Sequence, residues 1–137
     1  MEEVKLLLVD DEEEFVRALA ERLQMRGLNP QIALDGEQAL QMVPDHLPDV
    51  MVLDLRMPGI DGLEVLRRVK RAHPEVEVII LTGHGSENDE GVARRLGAFD
   101  YLQKPVDIAD LMGALMRAYR KKRESVRMRS VRVQAGN

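Results

Sequence analysis

Side chains suited to handling a phosphoryl group recur along the chain: the carboxylates of Asp10, Asp11 and Asp54, the hydroxyl of Thr82 and the ammonium of Lys104. Carboxylates crowded into one crevice repel each other and resist ionisation. A hard divalent cation removes that penalty, and Mg2+ accepts one or two direct carboxylates while keeping several waters. Mg2+ and a lysine together neutralise the equatorial oxygens of a phosphoryl group during transfer. Aspartate is an accepted nucleophile for such groups. Asp54 follows a buried-type apolar run and is the best candidate nucleophile. Asp10 and Asp11 are then the candidate metal holders. Each residue alone has a plainer reading: an Asp after a strand is commonly a helix cap, and a Lys is commonly solvated. Convergence on one rim is what would make them a site.

That convergence depends on the elements that carry them. Leu6–Val9, Val50–Leu53 and Val78–Leu81 are short continuous apolar runs, the mark of strands buried on both faces. Residues 30–34 and 98–102 mix polar and apolar side chains and read as edge strands. Helical stripes lie between. Phe15, Ala18, Leu19 and Leu23 form one, and Leu63, Leu66 and Val69 another. Ile108, Leu111, Met112, Leu115, Met116 and Tyr119 form the clearest. Asp35 with Gln38, and Asp61 with Glu64, have capping-box spacing. Asp107 is placed to cap the last helix, and Gly27 and Gly97 stand where helices should stop.

Five strand–helix units with right-handed crossovers predict an α/β fold: a doubly wound, five-stranded parallel sheet, flavodoxin-like, with helices on both faces. If the weaker strands are edges, the order is 2-1-3-4-5. Strands one and three then flank the switch point, where ligands bind beyond the carboxyl ends. Asp10 and Asp11, Asp54, Thr82, and Lys104 with Pro105 all fall at such ends.

The 137 residues match one domain, and 45% hydrophobic with 32% charged residues supports a packed core. Cysteine is absent, which excludes disulfides, thiolate metal sites and a cysteine nucleophile. Aromatics are 3%, too few for a surface that stacks bases. No run approaches a membrane span, and the acidic start is unlike a signal peptide, so a cytoplasmic protein is expected. Charge is uneven. Residues 117–137 hold eight basic residues and one acid, a net +7, whereas residues 1–116 carry a net −11. This divides the chain into a domain over 1–120 and a basic C-terminal extension or linker over 121–137. Val126, Met128, Val131 and Val133 partly fit a strand pattern. Met112, Tyr119, Val126 and Val133 recur every seven residues, but the positions between them are too polar for a stable zipper.

Asp10-Asp11, the stretch from Asp54 through Arg56, Met57, Pro58 and Gly59 to Gly62, Leu81-Thr82-Gly83-His84-Gly85, and Lys104-Pro105 together resemble the receiver domain of bacterial two-component response regulators. The resemblance covers about residues 4–120 in order and spacing. It implies that Asp54 accepts a phosphoryl group from a phosphohistidine on a sensor histidine kinase or phosphotransfer protein. It implies that Asp11, Asp54 and the backbone carbonyl of Arg56 bind Mg2+ directly, with Asp10 acting mainly through water. Lys104, before a cis proline, would pair with the phosphoryl group. Thr82 would be drawn towards it, and Tyr101 would turn inward as the threonine moves. The fourth helix, fifth strand and fifth helix would signal to a downstream effector domain or protein, with a phosphorylation-dependent homodimer as a further partner. The Thr82–Ser86 run faintly resembles receivers that precede ATPase transcription activators.

Rival readings have sequence marks of their own. An aspartate-nucleophile phosphatase wants a second acid two residues after the nucleophile, where this chain has Arg56. A flavodoxin-like electron carrier needs a hydroxyl- and glycine-rich loop after strand one. Here Asp10-Asp11-Glu12-Glu13-Glu14 would repel the anion. A pseudo-receiver, an interaction module without phosphorylation, would lack Asp54, Lys104 or an early acid, and none is missing. No motif supports direct DNA binding or a membrane role. The expected context is a stand-alone regulator or the front of a longer one.

Overall fold

The computed structural model describes residues 3–135, with side chains through residue 132. Strands β1 (Leu6–Val9), β2 (Gln31–Ala33), β3 (Val50–Leu53), β4 (Glu77–Thr82) and β5 (Asp100–Gln103) form one parallel sheet. The order is β2-β1-β3-β4-β5, as expected. Helices α1 (Glu13–Gln24), α2 (Gly36–His46), α3 (Gly62–Ala72), α4 (Glu87–Arg95) and α5 (Ile108–Ala135) connect and cover the strands.

The apolar runs are buried on both faces because alternate residues enter different cores. Leu7 and Val9 of β1 pack with Val43 of α2 and with Val65, Leu66 and Val69 of α3. Leu6 and Leu8 pack with Leu19 and Leu23 of α1 and with Leu111 and Leu115 of α5. Each such side chain contributes about 1.5–3 kcal/mol on burial. A one-residue register slip would exchange the two sets, so the pairing Val9↔Leu53↔Ile80 is held firmly. That register aligns the strand ends from which Asp10 and Asp54 emerge.

The caps match their sequence spacing with one variation. Asp35 and Asp61 accept hydrogen bonds from the backbone N–H groups of Gln38 and Glu64. The reciprocal halves differ: Gln38 reaches back to Leu34 N, and Glu64 instead pairs with Arg67 and Arg68. α4 has a full capping box between Ser86 and Asp89. Gly27 and Gly97 end their helices at φ +87° and +106°, in the left-handed region.

The extension departs from the strand pattern. Val126, Met128 and Val131 lie on α5, which runs from Ile108 through Ala135 without a break across residue 120. The physical reason is plain: no proline follows Pro105, and strong helix formers fill the segment. The side chain of Val133 lies outside the described residues.

Candidate functional site

The loops after β1, β3, β4 and β5 meet at the carboxyl edge of the sheet. Asp10 is 4% exposed and Asp54 2% exposed. Oxygens of Asp10, Glu12 and Asp54 lie within 4.8 Å of one another. Lys104 is set among them, with Nζ 2.8 Å from Asp10 Oδ2, 2.8 Å from Glu12 Oε1 and 3.7 Å from Asp54 Oδ2. Its ammonium also sits 4.2 Å from the centroid of the Phe15 ring, a cation–π contact. The peptide bond Lys104–Pro105 is cis, as the resemblance implies.

Local structure fixes each member. Asp10 Oδ1 accepts a hydrogen bond from Glu12 N at 2.9 Å, which ties the start of the acidic loop to its own turn. Asp54 N donates to Val9 O at 3.0 Å, so the β1–β3 pairing extends up to the carboxylate. Gly62 opens α3 directly against this corner. A Cβ there would stand 2.2 Å from Asp54 O and 2.6 Å from Leu55 Cα. Only a residue without a side chain permits that approach.

Electrostatics follow from burial and pairing. Burial raises the Asp10 carboxyl above its ordinary range, offset in part by Lys104 and by the Glu12 N–H. Burial alone would pull the Lys104 ammonium down, but Asp10 and Glu12 outweigh it and its pKa is raised. The exposed Glu12 carboxyl is lowered by its hydrogen bond to Lys104. Asp54 Oδ1 is buried and has no hydrogen-bond partner among the described residues. Acidic oxygens that outnumber the one nearby ammonium, with one oxygen left unpaired, form a donor set that fits a hard divalent cation.

The structure thus brings Asp10, Asp54 and Lys104 together and adds Glu12. Glu12 continues the Asp10-Asp11 acid run, and its pairing with Lys104 sets it apart from Glu13 and Glu14 only once the chain is folded. Asp11 is exposed and stands outside the close group, on the rim beside Leu34, Pro58 and Gly59. Thr82 is fully buried at the end of β4, where its Oγ1 accepts from His84 N at 3.3 Å. Its carbonyl accepts from Lys104 N at 2.9 Å, joining the β4 and β5 loops. Tyr101, on β5, is 8% exposed, and its hydroxyl has no hydrogen-bond partner among the described residues. The Arg56 side chain points along the rim and pairs with Asp89 of α4 at 2.9 Å.

Comparison with known proteins agrees with this geometry. The family model of the response regulator receiver domain matches residues 6–116. The transcriptional regulatory protein CpxR of Escherichia coli is 41% identical over 111 residues, which cover 81% of this chain and 47% of CpxR. The chain therefore spans about half the length of that relative. A solved response regulator receiver domain from Clostridium thermocellum aligns with a TM-score of 0.83 and 34% identity, covering 88% of this chain and 97% of that one. NtrX from Brucella abortus, solved with ADP, aligns with a TM-score of 0.88 and 29% identity, covering 99% of this chain and 30% of that one. Among the described residues no helix is long and apolar enough to cross a membrane. The fold, the strand-end acids and the family match converge, and the chain belongs to the response regulator receiver domain family.

Proposed function

We propose that this chain accepts a phosphoryl group from a histidine kinase or phosphotransfer protein on Asp54 and promotes both its own phosphorylation and its own dephosphorylation. The observation that carries this reading is the gathering of Asp10, Glu12 and Asp54 within 4.8 Å around Lys104. One carboxylate oxygen of Asp54 attacks phosphorus in line, and the bond from phosphorus to the donor nitrogen breaks. Lys104 holds an equatorial oxygen of the transferred group. Asp54 is nearly sealed, so Lys104, on a flexible four-carbon stem, is the group that makes way for the donor.

Mg2+ is the cofactor in this reading, and when bound it supplies neutralising charge for the anion. Asp10, Asp11, Asp54 and the carbonyl of Arg56 are the residues we assign to hold it. Glu12 serves as a counter-ion that keeps Lys104 charged and placed. Thr82 and Tyr101 are the switch pair: a phosphoryl group offers the threonine hydroxyl new acceptors, and Tyr101 packs against the space Thr82 leaves. The surface formed by α4, β5 and α5 then reports the change to an effector domain or protein.

The test is incubation with a small phosphodonor and Mg2+, followed by intact-mass spectrometry. One acid-labile phosphoryl group is expected on the native chain and none on Asp54→Asn. Equal incorporation in both would move the site elsewhere.

A further inference from the structure

The face that α5 turns to the sheet changes its chemistry at residue 121. Up to that point it is apolar and buried: Leu111, Ala114, Leu115 and Ala118. The same helical spacing then continues through Lys121, Lys122, Ser125 and Arg129. Acids on the amino edge of the sheet stand opposite. Lys122 Nζ is 2.5 Å from Asp49 Oδ1, Lys121 Nζ is 3.4 Å from Glu77 Oε2, and Arg129 Nη1 is 3.9 Å from Glu75 Oε2.

Glu77 is the unusual member. It is 2% exposed at the first position of β4. Its Oε2 is buried without a hydrogen bond among the described residues, and its Oε1 lies 3.7 Å from Lys70 Nζ of α3. α3 and α5 pack on opposite faces of the sheet. Glu77 therefore joins them around the amino edge, through one lysine from each. Asp49 is similarly constrained, since its Oδ2 accepts from Lys5 N at 2.8 Å.

Apolar packing does not hold this part of α5. Val126, Met128 and Val131 are 40%, 51% and 51% exposed. Open grooves of about 540 and 700 Å³ run beside the segment. A helical stretch of about 15 residues is marginal in water without tertiary contacts.

We propose that Asp49, Glu75 and Glu77 form an acidic clasp that holds residues 121–129 of α5 on the domain and sets the direction in which the helix leaves it. The clasp lies at the edge of the sheet opposite Asp54, so it operates without phosphoryl chemistry. Exposed ion pairs are weak and screened, whereas pairs to largely buried carboxylates are screened less. Asp49 and Glu77 are the principal anchors, and Glu75 is peripheral.

Hydrogen exchange of the full unphosphorylated chain tests this, read separately for residues 108–118 and 121–132. The double variant Lys121→Met, Lys122→Met alters only the helix side, and Glu77→Gln alters the edge. Exchange over 121–132 should quicken about tenfold in the double variant, with 108–118 unchanged. The native chain in about 1 M NaCl should move towards the same rates. Identical protection of 121–132 in the native and double-variant chains would overturn the clasp. So would loosening of 108–118 to the same degree, which would mean general destabilisation.

Discussion

The hydroxyl of Tyr101 occupies the space in front of Gly85, where a Cβ would stand 1.5 Å from it and 3.0 Å from Thr82 Cγ2. The glycine after His84 thus shapes the inner position of the ring. Gly85→Ala should drive the ring out of its slot without unfolding the domain, because a Tyr side chain can rotate away. Tyr101 resonances in an aromatic NMR spectrum would report the move; an unmoved ring would show that the backbone yields instead. In the same slot Tyr101→Phe should be neutral or stabilising by up to about 1 kcal/mol in urea melts, since the hydroxyl has no hydrogen-bond partner among the described residues.

Removal of divalent metal should stop phosphoryl incorporation. Asp10 and Asp54 are buried, and an incoming anion would meet their charge unshielded. A phosphodonor reaction run with chelator should leave the mass unchanged, and Mg2+ added back should restore the adduct. Incorporation that ignores chelator would remove the metal from the proposed site.

Lys104 should give the domain a pH-dependent share of its stability. Its pKa is raised above the ordinary 10.5 in the folded state. That contribution is fully present below pH 10.5 and is lost as pH rises through the raised value. Lys104→Met should lower stability near neutral pH by about 1–3 kcal/mol in metal-free buffer, by leaving carboxylates unpaired. It should also flatten the alkaline decline relative to the native chain. Paired urea melts from neutral to strongly alkaline pH measure both effects.

Gly62→Ala should be among the more damaging small substitutions. The added methyl would meet backbone of Asp54 and Leu55, which has no flexible end to retreat. A loss of about 3 kcal/mol is expected. Phosphoryl incorporation should slow along with it, because the same corner positions the Asp54 carboxylate.

Much of this was legible in the chain because the central strands are continuous apolar runs that only a doubly covered sheet can bury. Their ends deliver Asp10, Asp54 and Thr82 to one rim, and the edge strands betrayed themselves by mixed polarity. Glu12 escaped because its partner Lys104 lies 92 residues away, and one more acid in an acidic run looks like solvated surface. The extension escaped for a related reason. Lys121 and Lys122 read as a tail until the fold sets Glu77 and Asp49 opposite them. α4 carries a single fully buried residue, Ala93, and so leaves no stripe to recognise.

The unbroken course of α5 has a mechanical corollary. A flexible linker would absorb a small motion at its root, but a rod transmits it. Residues 121–135 span about 21 Å at helical rise, so with the acidic clasp open a tilt of about 10° at the base would sweep the far end by about 4 Å. Slight repacking beneath Leu115 and Ala118 would therefore be magnified at a distance, with the helix serving as the lever.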